Sequence, residues 1–221
     1  MLSNCVQLHK MANNQQKLTV FEAASDGDCM FSSIKYALDS IGKVYSIASL
    51  RNAIAQRALN ENDIEFNSVL QSWHEMSHAI EESKISTGTI CPLALQDVMH
   101  VYGILCQSSW PLEPNVRQFI YQRMMSREYW GDEISLRTLS QKLGVCFLVW
   151  DASSGAPYMP LINTTDDNVA DKRTKSQIYI VLRLRGTDGG SHYDLYGCGP
   201  RFVFSSETLP ENVKIAFRQF L

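Results

Sequence analysis

The feature that most constrains this chain is the run Val145–Trp150, VCFLVW, in which every residue is apolar. A short, unbroken apolar run bounded by turn signals reads as a buried strand. It follows directly on an amphipathic helical pattern, Asp132–Leu143, that Gly144 stops. A second strong strand is expected over Gln177–Arg185 (QIYIVLRLR). GTDGGS then makes a loop, and His192–Gly197 (HYDLYG) makes another strand. Weaker strand signals lie at 158–162 and 201–204, and residues 18–23 (LTVFEA) add one near the other end. Between them the chain reads as helical over 47–60, 63–83, 93–107 and 115–126, the last two separated by the breaker WPLEPN. Within 63–83 the apolar stripe falls on Val69, Trp73, Met76 and Ile80. A closing helix is expected over 210–220. The fold class is α+β: strands at both ends of the chain, helices between.

A chain of 221 residues suits one domain, or one domain with an insertion. Its first 17 residues are polar and aperiodic and read as a loose arm ahead of a single domain over 18–221. At 45% hydrophobic and 19% charged it is too apolar for disorder. The balance of 20 basic against 23 acidic residues, net −3, speaks against a nucleic-acid binder. No apolar run approaches the roughly 18 residues of a membrane span. The opening MLSNCVQLHKMANNQQKL has no apolar core of the kind a signal peptide needs. The six cysteines (Cys5, Cys29, Cys91, Cys106, Cys146, Cys198) are scattered and form no CxxC pair. That usage suggests reduced thiols in a cytoplasmic protein.

One of those thiols has a chemically useful address. Ser25-Asp26-Gly27-Asp28 is a turn cluster, and Phe31, Ile34 and Leu38 then recur at helical spacing. Cys29 therefore sits in the first turn of a helix, where partial positive charge and free backbone N–H groups lower a thiol's pKa. Gly27 lets the preceding backbone approach an oxyanion closely. A cysteine hydrolase also needs an imidazole to take the thiol proton and later protonate the leaving amine. His192 is expected to open a strand after a glycine-rich loop, and Asp194, two residues on, leaves the same face. A carboxylate there fixes the imidazole's tautomer.

Asp26-Gly27-Asp28-Cys29-Met30-Phe31 resembles the D-G-x-C-x-F box of the ovarian tumour (OTU) family of cysteine proteases, mostly deubiquitinases. Trp130-Gly131-Asp132-Glu133-Ile134, the helix to Leu143 and VCFLVW are similar to that family's middle signature. IYIVLRLR, GTDGGS and His192-Tyr193-Asp194 are similar to its third, and the boxes come in the family's order. The resemblance implies a papain-like fold in which Cys29 is the nucleophile and His192 the general base and acid. Asp194 orients His192, and Asp26 shapes the cysteine loop. The backbone of Gly27, Asp28 and Cys29 forms the oxyanion hole, and Trp130 lies near the helix backing the site, where plain core packing is its other reading. It implies hydrolysis of isopeptide bonds of ubiquitin, polyubiquitin or ubiquitin-like conjugates through an acyl-enzyme. It implies no metal and no organic cofactor, and a monomer that works in the cytoplasm, or in a host's cytoplasm as a viral or bacterial effector. The stretch 60–125 exceeds what a compact member needs. It is expected to form a helical lobe, with Phe66, Trp73, Phe119 and Tyr121 as its aromatic surplus and a share in the primary ubiquitin surface.

Rival readings remain open at this level. His74-Glu75-Met76-Ser77-His78 matches H-E-x-x-H, the zincin pattern, with His100, Glu81 or Glu82 as the only candidates for a third ligand. A ubiquitin-binding module with a dead site is the non-enzymatic rival. Val181–Gly186 reads VLRLRG, which matches the tail of ubiquitin, but residues before it do not, so it is taken as a coincidence of strand composition.

Overall fold

In the computed structural model, which describes residues 18–81, 98–160, 177–187 and 190–221, the run after Gly144 is a strand, β2 (Val145–Asp151). It is buried from Val145 to Trp150. The other strands are β1 (Leu18–Phe21), β3 (Ala156–Tyr158), β4 (Ile178–Thr187), β5 (Gly190–Cys198) and β6 (Val203–Ser205). The helices among the described residues are α1 (Cys29–Asp39), α2 (Ile47–Leu59), α3 (Ile64–Glu81), α4 (Val98–Cys106), α5 (Pro114–Met125), α6 (Glu133–Leu143) and α7 (Glu211–Phe217). None of them is long and apolar enough to cross a membrane. The expected loose arm, residues 93–97 of an expected helix, Cys5 and Cys91 lie outside the described residues.

The chain divides into two compact units. Among the described residues, one holds those up to Ile47 together with those from Glu133 to Leu221, and the other those from Ala48 to Asp132. The first unit is built on a sheet of order β1-β5-β4-β2-β3, with β6 also on β4. Every pairing is antiparallel except β2 with β4, which run parallel from Val145↔Ile178 to Asp151↔Leu184. Parallel neighbours are buried on both faces, which is why VCFLVW carries no alternation. On one face Cys146, Leu148 and Trp150 join Tyr179, Val181 and Tyr196 under Val213 and Phe217 of α7. Elsewhere α1 packs on β5 and β4, and α6 on β2.

The second unit is helical. The stripe of α3 that it buries is Phe66, Leu70, Trp73 and Ser77. Only Trp73 belongs to the stripe expected from sequence; Val69, Met76 and Ile80 are half-buried beside it. The two periodicities share Trp73 and diverge around it, and the edge-on contact of Phe66 with Trp73 (centroids 6.3 Å apart) selects the observed one. Two buried arginines tie the unit together. Arg51 donates to the carbonyls of Met124 and Tyr129, and Arg117 to that of Ala58 and to Asn67 Oδ1. Helix ends leave carbonyls without intrahelical partners, and these guanidiniums supply donors where no water reaches. The expected aromatic surplus also has partners inside the unit: half-buried Tyr121 donates to Asn52, and half-buried Phe119 lies under the Arg123 guanidinium.

One boundary differs from expectation with consequences for the site. Gly186 and Thr187 continue β4, and Gly190 and Ser191 begin β5, so only residues 188–189 of the expected GTDGGS loop lie outside the described residues. His192 is therefore the third residue of its strand, not the first. The antiparallel pairing extends to Thr187↔Gly190, so glycine here continues the ladder.

Candidate active site

The loop before α1 is shaped by two residues. Gly27 has φ +85°, a left-handed conformation that glycine adopts without steric cost. Asp26 Oδ1 accepts the backbone N–H of Asp28 at 3.1 Å, closing the turn and delivering the chain into the helix. Cys29 is then the first residue of α1, and the next backbone bond, Ser32 N–H to Asp28 O at 2.7 Å, starts the helical ladder.

What brings Cys29 to the sheet is one residue of β5. β1 pairs with β5 only as far as Phe21↔Leu195. Beyond that point the backbone of Tyr193 meets α1 instead. Its carbonyl accepts Ser33 Oγ–H at 3.3 Å, and its backbone is near enough to Cys29 to draw the thiol's pKa down. Positions 29 and 33 are one helical turn apart, so the Ser33 bond holds the end of α1 that carries Cys29 against this strand residue. That residue lies between His192 and Asp194.

His192 and Asp194 share a strand face. His192 Nε2 lies 2.9 Å from Asp194 Oδ1. Asp194 is completely buried, at 0% exposure, and its other oxygen accepts Arg183 Nε (3.0 Å), Arg183 Nη2 (2.6 Å) and Arg185 Nε (2.8 Å). Burial pushes the Asp194 carboxyl up, but the bonds from Arg185 and Arg183 outweigh it and hold the carboxyl below the usual carboxylate range. An ionised Asp194 can only accept, so Nε2 carries the imidazole proton and Nδ1 is the bare, basic nitrogen. Nδ1 faces Ser25, whose hydroxyl lies 3.2 Å away and donates to it.

The thiol departs from expectation. Cys29 is 3% exposed, and desolvation pushes its pKa up. The backbone of Tyr193 and of Met30 draws it down, while the charges of Asp194 and Asp26 add to the rise, and the net shift is upward. A helix N-terminus lowers a thiol's pKa where water remains; here burial outweighs it. Cys29 rests as the thiol and needs a base. Cys106, Cys146 and Cys198 are also free thiols.

These elements coincide with a known architecture. A solved structure described as an ovarian tumour (OTU) domain in complex with ubiquitin superposes with a TM-score of 0.51 and 21% identity, over 91% of this chain and 83% of that one. The chain has the OTU fold. Two structures of an OTU deubiquitinase from Wolbachia pipientis wMel, one bound to ubiquitin, also match, each at a TM-score of 0.43. They are 15% and 14% identical and cover 87% and 82% of this chain and 94% and 96% of those chains. No family model and no curated protein matches the sequence.

Asp26, Gly27, Asp28, Cys29, His192 and Asp194 all belong to the sheet unit, whereas Trp130 belongs to the helical unit and is half-buried. The H-E-x-x-H residues have other partners. His74 Nε2 lies 3.0 Å from the Ser108 carbonyl and 3.3 Å from His78 Nε2, while Glu75 accepts from Gln71. His100 packs against Phe119 with its ring tilted. No group of three or more His, Cys, Asp or Glu able to hold a metal occurs among the described residues, and Glu82 lies outside them. VLRLRG lies within β4, paired with β5 throughout and with β2 as far as Leu184, so its backbone is not available as a tail. Sequence reasoning missed Ser25, Arg183 and Arg185. The arginines had a signal: strand alternation puts them on one face, opposite the face-sharing His192 and Asp194.

Proposed function

We propose that this chain is a cysteine hydrolase that cleaves isopeptide bonds at the C-terminus of ubiquitin or a ubiquitin-like modifier. The observation that carries the reading is the anchoring of α1, one turn past Cys29, on the Tyr193 carbonyl, between His192 and the Asp194 carboxylate it pairs with at 2.9 Å. The substrate class rests on the OTU fold and on the ubiquitin bound to the OTU domain it resembles.

The chemistry follows from the protonation states. The bare Nδ1 of His192 leaves the Ser25 hydroxyl and takes the Cys29 thiol proton, giving thiolate and imidazolium. Asp194, ionised against Nε2–H, stabilises that imidazolium. The sulfur attacks the isopeptide carbonyl, and the oxyanion that forms meets the first amide of α1. The Asp28 N–H is spent on Asp26, so the Cys29 N–H, which has no intrahelical acceptor, is the donor assigned to the oxyanion. The imidazolium returns its proton to the departing lysine amine and leaves a thioester on Cys29. His192 then deprotonates a water, which releases the carboxylate and restores the thiol.

The test is turnover of a fluorogenic amide at the ubiquitin C-terminus and of lysine-linked diubiquitin. Cys29→Ala and His192→Ala should each abolish turnover, because nucleophile and base act as a unit. Iodoacetamide should inhibit and EDTA should not. Turnover that survives Cys29→Ala would overturn this reading, and turnover that EDTA stops while iodoacetamide does not would replace it with a metal-dependent one.

A further inference from the structure

Four side chains form a block at one end of the β4–β5 pair. Arg183 lies opposite Asp194, and Arg185 opposite His192. With two-residue alternation in each strand, all four leave the same face. The guanidiniums do not spread their donors over both carboxylate oxygens. Arg183 Nε, Arg183 Nη2 and Arg185 Nε all end on Oδ2, and Oδ1 is left to His192 Nε2. Asp194 is fully buried, whereas the side chains of Arg183 and Arg185 are 21% and 38% exposed. The arginines thus reach in from the solvent side to a carboxylate that water does not reach.

We propose that Arg183 and Arg185 are positioning residues for His192. By saturating Oδ2 they fix the rotation of the Asp194 carboxylate, so that a single oxygen faces the imidazole and the proton is kept on Nε2. The proposal rests on the cysteine-hydrolase reading of Cys29 and His192 and adds two residues to it. It also gives VLRLRG a reason of its own: its two arginines belong to this block.

Two positive charges do more than aim the carboxylate. The Asp194 charge opposes formation of the Cys29 thiolate, since it pushes the thiol up. A bare carboxylate would favour the imidazolium and penalise the thiolate together. Partial neutralisation on Oδ2 lessens the penalty on sulfur and leaves the Oδ1 hydrogen bond in place. The charged and titratable groups that act on this cluster are His192 on β5, Arg183 and Arg185 on β4, and the Cys29 thiol of α1, on which Asp26 of the preceding loop also acts. Glu22, just after β1, acts on Arg183, which also lies 5.9 Å from the Tyr196 ring centroid. Without the arginines, burial alone acts on Asp194 apart from His192, and its carboxyl rises. A protonated Asp194 no longer holds the imidazole tautomer, so activity should fail at a higher pH than in the wild type. Lysine at these positions keeps the charge but not the two-point grip of Nε and Nη2.

The test compares full-length wild type with R183Q/R185Q, R185Q and R183K/R185K. It reads thermal melts, kcat and KM for the ubiquitin C-terminal amide against pH, and the low-field proton resonance of His192 Nε2–H, assigned with His192→Gln. In R183Q/R185Q, kcat should fall about tenfold to a hundredfold with KM nearly unchanged. The acid limb of the rate profile should move up by about one pH unit. R183K/R185K should keep the wild-type acid limb while kcat stays low. An unmoved acid limb in a glutamine variant that melts as the wild type does overturns the proposal and leaves the arginines structural. If the double variant does not fold, R185Q carries the test, with a smaller shift of the same sign expected and an unmoved limb refuting it. The resonance separates this proposal from the function it rests on. It should persist at pH 5 in the wild type and in R183K/R185K and vanish there in the glutamine variants, whether or not ubiquitin is turned over. Equal persistence in all of them overturns the proposal.

Discussion

Asp194→Asn is a nearly isosteric change that the arrangement at Oδ2 should make severe. Three N–H donors from Arg183 and Arg185 converge on that oxygen. In the asparagine variant the amide oxygen must take that place, because an NH2 group there would face donors only. The NH2 group is then turned towards His192 Nε2 and can only donate. A neutral imidazole next to it is driven to carry its proton on Nδ1, the nitrogen that has to be bare to accept the thiol proton. Turning the amide around would forfeit three charge-assisted hydrogen bonds. Discounted for the partial exposure of Arg185, that is roughly 3 kcal/mol, or more than a hundredfold in population. The expected loss in kcat/KM is about 10²–10⁴, the upper end being that of a wrong-tautomer substitution in a serine protease triad. Asp194→Ala imposes no tautomer, so its variant should be the faster of the two, the reverse of the usual ranking for a conservative swap. The assay is kcat/KM on the ubiquitin C-terminal amide for both variants, with ¹⁵N shifts of His192 to read the tautomer. An asparagine variant that equals or exceeds the alanine variant, with the proton still on Nε2, would refute the fixed orientation of the carboxylate.

Three further outcomes can be checked directly. A Cβ at Gly197 would fall 2.5 Å from the Phe202 ring and 2.9 Å from the Arg201 carbonyl, so Gly197→Ala should cost about 1–3 kcal/mol in urea unfolding and leave the activity of folded protein unchanged. Burial pushes the Asp63 carboxyl up, but the Arg57 side chain and the Phe66 N–H outweigh it and hold the carboxyl low. The stability this supplies is complete above the unfolded-state value of about 3.9 and is lost as pH falls below it, so urea midpoints measured from pH 5 to pH 2 should fall less steeply in Arg57→Gln than in the wild type. Ile64 in the helical unit is 84% exposed, and Ile64→Glu should raise KM for ubiquitin substrates while iodoacetamide still reacts with Cys29 at the wild-type rate. An unchanged KM would show that this residue takes no part in substrate binding.

The parts of the fold and site that were legible in the sequence are those fixed by local chemistry. A turn cluster followed by 3.6-residue periodicity gave the helix at Cys29, and an unbroken apolar run gave β2. Two-residue alternation placed His192 and Asp194 on one face. The arginine block was within reach of the same alternation but depended on register. Taking all of GTDGGS as loop left the alignment of RLR with HYD unspecified, whereas pairing through Thr187↔Gly190 determines it. The direction of the Cys29 shift was not legible, because it is set by desolvation, a property of the packed structure. Ser25 was read as a turn residue, and nothing local announces that its hydroxyl meets an imidazole 167 positions away. The α3 stripe was misassigned because two periodicities share Trp73, and only the contact with Phe66 separates them.

The most direct measurement offers the full-length chain a ubiquitin whose C-terminus carries a thiol-reactive group in place of the scissile bond. Mass spectrometry should find the ubiquitin C-terminus joined to Cys29. The adduct should be absent in Cys29→Ala and strongly slowed in His192→Ala, with Cys106, Cys146 and Cys198 unlabelled. The contrary result is a folded protein whose Cys29 is alkylated by iodoacetamide yet forms no adduct with ubiquitin or with any of a panel of ubiquitin-like modifiers. That outcome would leave a reactive cysteine on an OTU fold and remove the ubiquitin-directed hydrolase.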